Sequence, residues 1–132
     1  MLRNDLAARL RDAGLGWEPA RGDRFVVADV GMDDEVFVLS DMTVEVHDLP
    51  KGRVIGFNGV TEWALDSIRV SDALWLPRED QLRARLGARF RRLEPCDGGW
   101  AVVADAGGQE RAWTADDAED AYALALLAVL RG

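Results

Sequence analysis

The side chains able to do chemistry are few in this sequence and thinly spread. The acidic run Asp33, Asp34, Glu35, with Asp29 before it and Asp41, His47 and Asp48 after it, could supply oxygen ligands to a hard cation or a general base. Its spacing does not reproduce the Asp-x-Asp-x-Asp-Gly pattern of a calcium loop, so it reads as a solvated turn and no metal is expected. His47 is the only histidine, and beside Asp48 it could work as an acid or base. A histidine-rich zinc site is therefore excluded. A Ser-His-Asp triad would have to draw on Ser40, Ser67 or Ser71, none of which lies in Gly-x-Ser-x-Gly. Cys96, the one cysteine, sits between Pro95 and Asp97-Gly98-Gly99, where a neighbouring carboxylate disfavours the thiolate. Gly56-Phe57-Asn58-Gly59 leads into Thr61 and could hold an anion at a helix start, but it lacks the Lys-Ser/Thr pair of a phosphate loop. What remains is one candidate ligand site, Asp41, His47, Asp48, Asn58 and Glu62. No catalytic residue, cofactor or metal is expected.

Charge narrows the partners. The 132 residues carry 16 basic and 24 acidic side chains, a formal charge of −8, which opposes phosphate binding. Arg78, Arg83, Arg85, Arg89, Arg91 and Arg92 make one segment locally basic against Glu79 and Asp80, but helix and strand geometry scatters them over several directions. Nucleic acid is thus not expected as a partner. The longest apolar run, Ala121 to Leu130, is too short to span a bilayer, so no membrane insertion is expected. A single cysteine and charged residues at Asp5, Arg9, Arg11 and Asp12 fit a cytoplasmic protein.

The elements that would position these residues can be read from periodicity. Asn4 caps a helix over Asp5 to Ala13 that buries Leu6, Leu10 and Ala13 and ends at Gly14. Short β-branched and aromatic runs follow at Phe25 to Ala28, Glu35 to Leu39, Thr43 to His47 and Arg53 to Phe57, spaced as an antiparallel meander. Val36 and Val38 fall on one face of their strand. Thr61 caps a short helix from Glu62 to about Ile68, and Pro77 opens another that ends near Gly87. Strands are predicted at Phe90 to Glu94, Trp100 to Ala104 and Glu110 to Thr114. A last helix runs from Asp116 to Arg131, with acids at its positive end and arginine at its negative end.

Shifting the chain on itself by 76 residues aligns 5–31 with 81–107, and Glu-Pro, Gly and Val-Val-Ala-Asp-x-Gly recur in register. Residues 5–31 and 81–107 thus read as pseudo-repeats of helix, strand, strand and strand, which places a strand at Leu15 to Glu18. Segment 41–77 has no counterpart and reads as an insertion. One α+β domain over 1–132 is expected, an antiparallel sheet with helices packed on it.

The stretch MDDEVFVLSDMTVEVHDLPKGRVIGFNGVTEWALDSIRVSDALWLPREDQL, from Met32 to Leu82, resembles an uncharacterised family of small actinobacterial proteins, some labelled pilus-assembly proteins. That label belongs to a larger ATPase whose phosphate loop this chain lacks, so the resemblance implies an association at most. No catalytic residue carries over. The leading expectation is a non-enzymatic protein-interaction or regulatory binding domain with an unidentified protein partner. The alternative is a small enzyme or ligand-binding domain using the polar residues of 41–77. The interaction surface is expected at Trp75, Leu126 and Leu130. Leu124, Leu126, Leu127, Val129 and Leu130 encircle the last helix, so a homodimer through that helix is expected.

Overall fold

Antiparallel pairing dominates the architecture, as the short connections require. A computed structural model describes residues 1–27, 32–39, 45–49, 52–56 and 67–132. The chain divides into two compact units, Met1–Gly16 with Pro77–Gly132, and Trp17–Leu76. The described elements run α1 (Asn4–Asp12), β1 (Arg24–Val27), β2 (Met32–Val38), β3 (Glu45–Leu49), β4 (Gly52–Gly56), β5 (Ser67–Arg69), β6 (Ala73–Leu76), α2 (Glu79–Leu86), β7 (Phe90–Cys96), β8 (Gly99–Ala106), β9 (Gln109–Ala115) and α3 (Ala118–Arg131). Three antiparallel sheets result, in the orders β2-β1-β6, β3-β4-β5 and β7-β8-β9. The fold class is α+β, with helices packed on antiparallel sheet.

In the unit formed by the two ends of the chain, α3 lies on β8 and β9 and is flanked by α1 and α2. Cross-strand register sets Leu93, Val102 and Trp113 on one sheet face, with Ala104 two residues further along β8. That face meets the helix: Phe90, opposite Ala104, stacks on Tyr122 of α3 at 5.6 Å between ring centroids. Val102, Ala104, Ala121, Tyr122, Ala125 and Leu126 are buried between them. The other face carries a polar ladder in which Arg92 reaches both Glu94 and Glu110 at 3.1 Å. Leu6 and Leu10 of α1 and Leu82 and Leu86 of α2 are buried as well. The apolar girth of α3 is therefore covered within the chain by two helices and a sheet, and the argument that a second subunit must cover it does not hold. Leu126, expected on an interaction surface, is 1% exposed, whereas Leu130, one turn further on, is 38% exposed.

In the other unit, Phe25 pairs in register with Phe37 of β2 and Trp75 of β6. Phe25, Val27, Leu39 and Ala73 form its core, with Trp17, Phe37 and Val70 against it. Trp75, also read as a surface residue, is only 9% exposed because β6 is a full partner of β1 and the Trp17 ring stacks on it at 6.3 Å.

Three local expectations fail. Residues 15–20 form no strand; Trp17 is drawn onto the aromatic face, and Asp23 turns the chain back by accepting the Trp17 Nε1–H at 2.9 Å and the Ala20 N–H at 3.0 Å. Ser67 and Ile68 belong to strand β5, paired with Gly56 and Ile55, so the helix expected over 62–68 does not include them, and the rest of that expectation, 62–66, lies outside the described residues. Asn4 is the first residue of α1 and not its cap, a position held by Arg3 with no side-chain capping bond. Gly14 does end α1, at φ 103°, with its N–H bonded to the Arg11 carbonyl.

Candidate ligand cleft at the start of helix α3

A helix start leaves backbone N–H donors unsatisfied; α2 answers part of this itself, Gln81 Oε1 accepting the Arg78 N–H at 2.9 Å, and both α1 and α2 draw on α3 for more. Neither has a capping bond from a side chain at its own N-cap of the Ser, Thr, Asp or Asn type. Instead the first turn of α3 supplies carboxylates. Asp120 Oδ1 accepts the Arg3 N–H at 2.9 Å, Glu119 Oε1 accepts the Leu2 N–H at 2.9 Å, and Glu119 Oε2 accepts the Glu79 N–H at 2.9 Å. Asp117 caps α3 itself by accepting the Glu119 N–H at 2.8 Å, and also meets the Met1 amino group. Three helix starts thus converge on three carboxylates, an arrangement the helix dipoles favour. Contact with the amino group holds the Asp117 carboxyl below its usual range. Burial pushes Asp120 the other way, above it, the Arg3 N–H offsetting part of that rise.

Next to this junction lies a cleft of about 340 Å³, within the size range of small-molecule sites. Arg3, Leu6 and Arg9 line it from the α1 side, Thr114, Ala115 and Asp116 from the end of β9, and Asp120 and Leu124 from α3. Arg3 is engaged with Asp5, its Nη2 2.6 Å from the carboxylate. A second cleft, about 400 Å³, opens at the far end of α3 between Arg89, Ala106, Arg111 and Val129.

Of the sequence-derived ligand set, the described residues include only His47 and Asp48. His47 and Asp48 lie in β3, opposite Val54 and Arg53 of β4, and Asp41, Asn58 and Glu62 lie outside the described residues. Cys96 is a free, exposed thiol. Among the described residues, no three His, Cys, Asp or Glu side chains are grouped to hold a metal, and no helix is long and apolar enough to cross a membrane. The arginine segment is largely consumed internally. Arg78 pairs with Asp80, Arg83 lies over the Phe90 ring at 4.5 Å, Arg85 bonds the Gly16 carbonyl, and Arg91 and Arg92 bond neighbours on the sheet.

Sequence reasoning missed the junction because Glu119 and Asp120 look like ordinary first-turn acids of one helix. That they serve two other helices is a tertiary fact. Comparison with known proteins finds no matching family model, no similar curated protein and no similar solved structure.

Proposed function

We propose that the chain is a non-enzymatic binding domain whose protein partner adds an extended, basic and apolar segment to the outer edge of β2. The observation that carries this is the pair Val36 and Val38, 37% and 61% exposed on the same side of the strand while Phe37 between them packs on Phe25 at 5.6 Å. Two adjacent exposed valines on a strand are costly to leave in water and are the kind of apolar step that an added strand covers. Among the described residues β2 has only β1 beside it, so its other edge offers backbone donors and acceptors. The strand itself reads Met-Asp-Asp-Glu-Val-Phe-Val in a chain of charge −8, which favours a segment with lysine or arginine at alternate positions.

A synthetic heptapeptide alternating lysine and valine tests this by amide hydrogen exchange. Added strand pairing slows exchange of alternate amides in 32–38, and a glutamate–valine peptide of equal length does not. Val36→Glu with Val38→Glu removes the protection without lowering the melting temperature, because neither valine is in the core. Equal protection by both peptides, or protection that survives the double substitution, overturns the reading.

A further inference from the structure

The cleft beside α3 has a composition that its structural role does not require. Asp120 is 6% exposed and lines the cleft, and its Oδ1 accepts the Arg3 N–H. A carboxylate held largely out of water is stabilised by a cationic group beside it. From α1, Arg9 also lines the cleft; it is exposed and makes no ion pair or side-chain hydrogen bond among the described residues, where most other arginines are engaged. Thr114 supplies a hydroxyl, and Leu6, Ala115 and Leu124 supply apolar wall.

We propose that this cleft binds a small zwitterion of the amino-acid class, its ammonium on Asp120 and its carboxylate on Arg9. An ammonium has three donors and suits a largely buried carboxylate, while a guanidinium receives a carboxylate with two parallel bonds. A simple anion would gain Arg9 but meet Asp116 and Asp120, and a simple cation would gain the carboxylates but meet Arg3 and Arg9. Only a ligand carrying both charges is matched by both kinds of charged group that line the cleft. The cleft lies wholly within the unit that contains α3, so the proposal is independent of strand addition at β2.

The test is an NMR titration of the full chain with glycine, β-alanine, 4-aminobutyrate and 6-aminohexanoate, a series in which only the distance between the two charges changes. One member of the series is expected to give saturable shifts at Arg9, Thr114 and Asp120, and its N-acetyl and methyl-ester derivatives, each with one charge removed, to bind at least about tenfold more weakly. Arg9→Gln, an exposed position that leaves the fold intact, weakens binding by a similar factor, and so does Asp120→Asn. No saturable shift with any of the four, single-charge derivatives that bind equally well, or binding indifferent to Arg9→Gln overturns the proposal.

Discussion

Residues 14–27 and 90–103, related by the 76-residue offset, share a Val-Val strand core and diverge in what lies next to it. Val26-Val27 of β1 and Val102-Val103 of β8 each pair antiparallel with the strand that follows, β2 and β9. Each of β1 and β8 is the centre of a three-stranded sheet. The third strand differs in origin. Beside β8 it is β7, the segment just before the turn; beside β1 it is β6, from far along the chain, while residues 15–20 stay irregular. Three substitutions between the aligned segments account for this: Trp17 stands where Leu93 does, Asp23 where Gly99 does, and Phe25 where Ala101 does. Phe25 and Trp75 create an aromatic face, Trp17 packs half-buried against it, and the Asp23 carboxylate holds the resulting loop. The same Val-Val pattern therefore accompanies a hairpin in both segments, and the side chains at its entry decide which segment becomes its neighbour.

The sharpest way to break this comparison is at Gly99. A Cβ there would lie 2.2 Å from the Ala115 carbonyl oxygen, a backbone atom that cannot swing aside. Gly99→Ala is expected to cost on the order of 3 kcal/mol, since overpacking against fixed backbone is among the more damaging changes. Urea denaturation checks it; a loss below about 1 kcal/mol would mean that β8 and β9 separate easily at that end, and the account of why β7 forms would fail.

At the matching position of the other segment, Asp23→Ala strips the acceptor from the Trp17 Nε1–H and the Ala20 N–H. Leaving such donors unpaired costs about 2–3 kcal/mol in all. The loop should loosen and Trp17 fluorescence shift to the red, with β8 unaffected. An unshifted spectrum and unchanged stability would show that the aromatic packing alone sets the path of residues 15–20.

These two sites also show where the sequence stops being legible. Helices α1, α2 and α3 follow from periodicity because their backbone bonds are local, and strands β7 to β9 from turn residues because each pairs with the next strand in sequence. Strand β6 does not, because Ala-Leu-Trp-Leu acquires its role only from Phe25 and Val26, nearly fifty residues earlier. The strand anticipated at 15–18 fails for the same reason: its repeat partner has no Trp at that position and no distant Trp75 to meet. The cleft was invisible at that level, since Arg9, Thr114 and Asp120 come from three elements and no spacing links them.

The comparison extends to the helices. Arg3 and Glu79 occupy the same place under the 76-residue offset, and their N–H groups are taken by adjacent acids of α3, Asp120 and Glu119. Glu119 also takes the Leu2 N–H, so it latches the start of α1 and the start of α2 together. Glu119→Ala is expected to cost about 2 kcal/mol, the scale of hydrogen bonds to a charged acceptor. Glu119→Gln, which keeps one carbonyl oxygen, should restore part of it. Hydrogen exchange at Leu2 and Glu79 distinguishes the latch from a general effect: both amides should speed up together in the alanine variant, and exchange in only one would show that the two helix starts are held separately.

The smallest effect concerns the partner carboxylate, and its sign depends on pH. Burial raises the Asp120 carboxyl above its usual value, so the folded state holds that proton more tightly than the unfolded chain does. Its contribution to stability is fully present below the unfolded carboxyl value, about 4, and is lost as pH rises through the higher folded value. Asp5, Asp80 and Asp117 are shifted the other way, Asp5 and Asp80 by hydrogen bonds from Arg3 and Arg78 and Asp117 by the Met1 amino group; they stabilise above their unfolded values and lose that contribution as pH falls through the depressed ones. Asp120→Asn keeps an oxygen for the Arg3 N–H and cannot ionise. It should therefore match or exceed the native chain in melting temperature at neutral pH, with the difference shrinking as pH falls toward about 4, where the native Asp120 is itself protonated. Below that, both proteins should weaken in parallel as the three depressed carboxylates take up protons. An asparagine variant that is less stable at neutral pH would mean that the ionised form of Asp120 holds the start of α1, and that the two helix starts are latched by charge to equal degree.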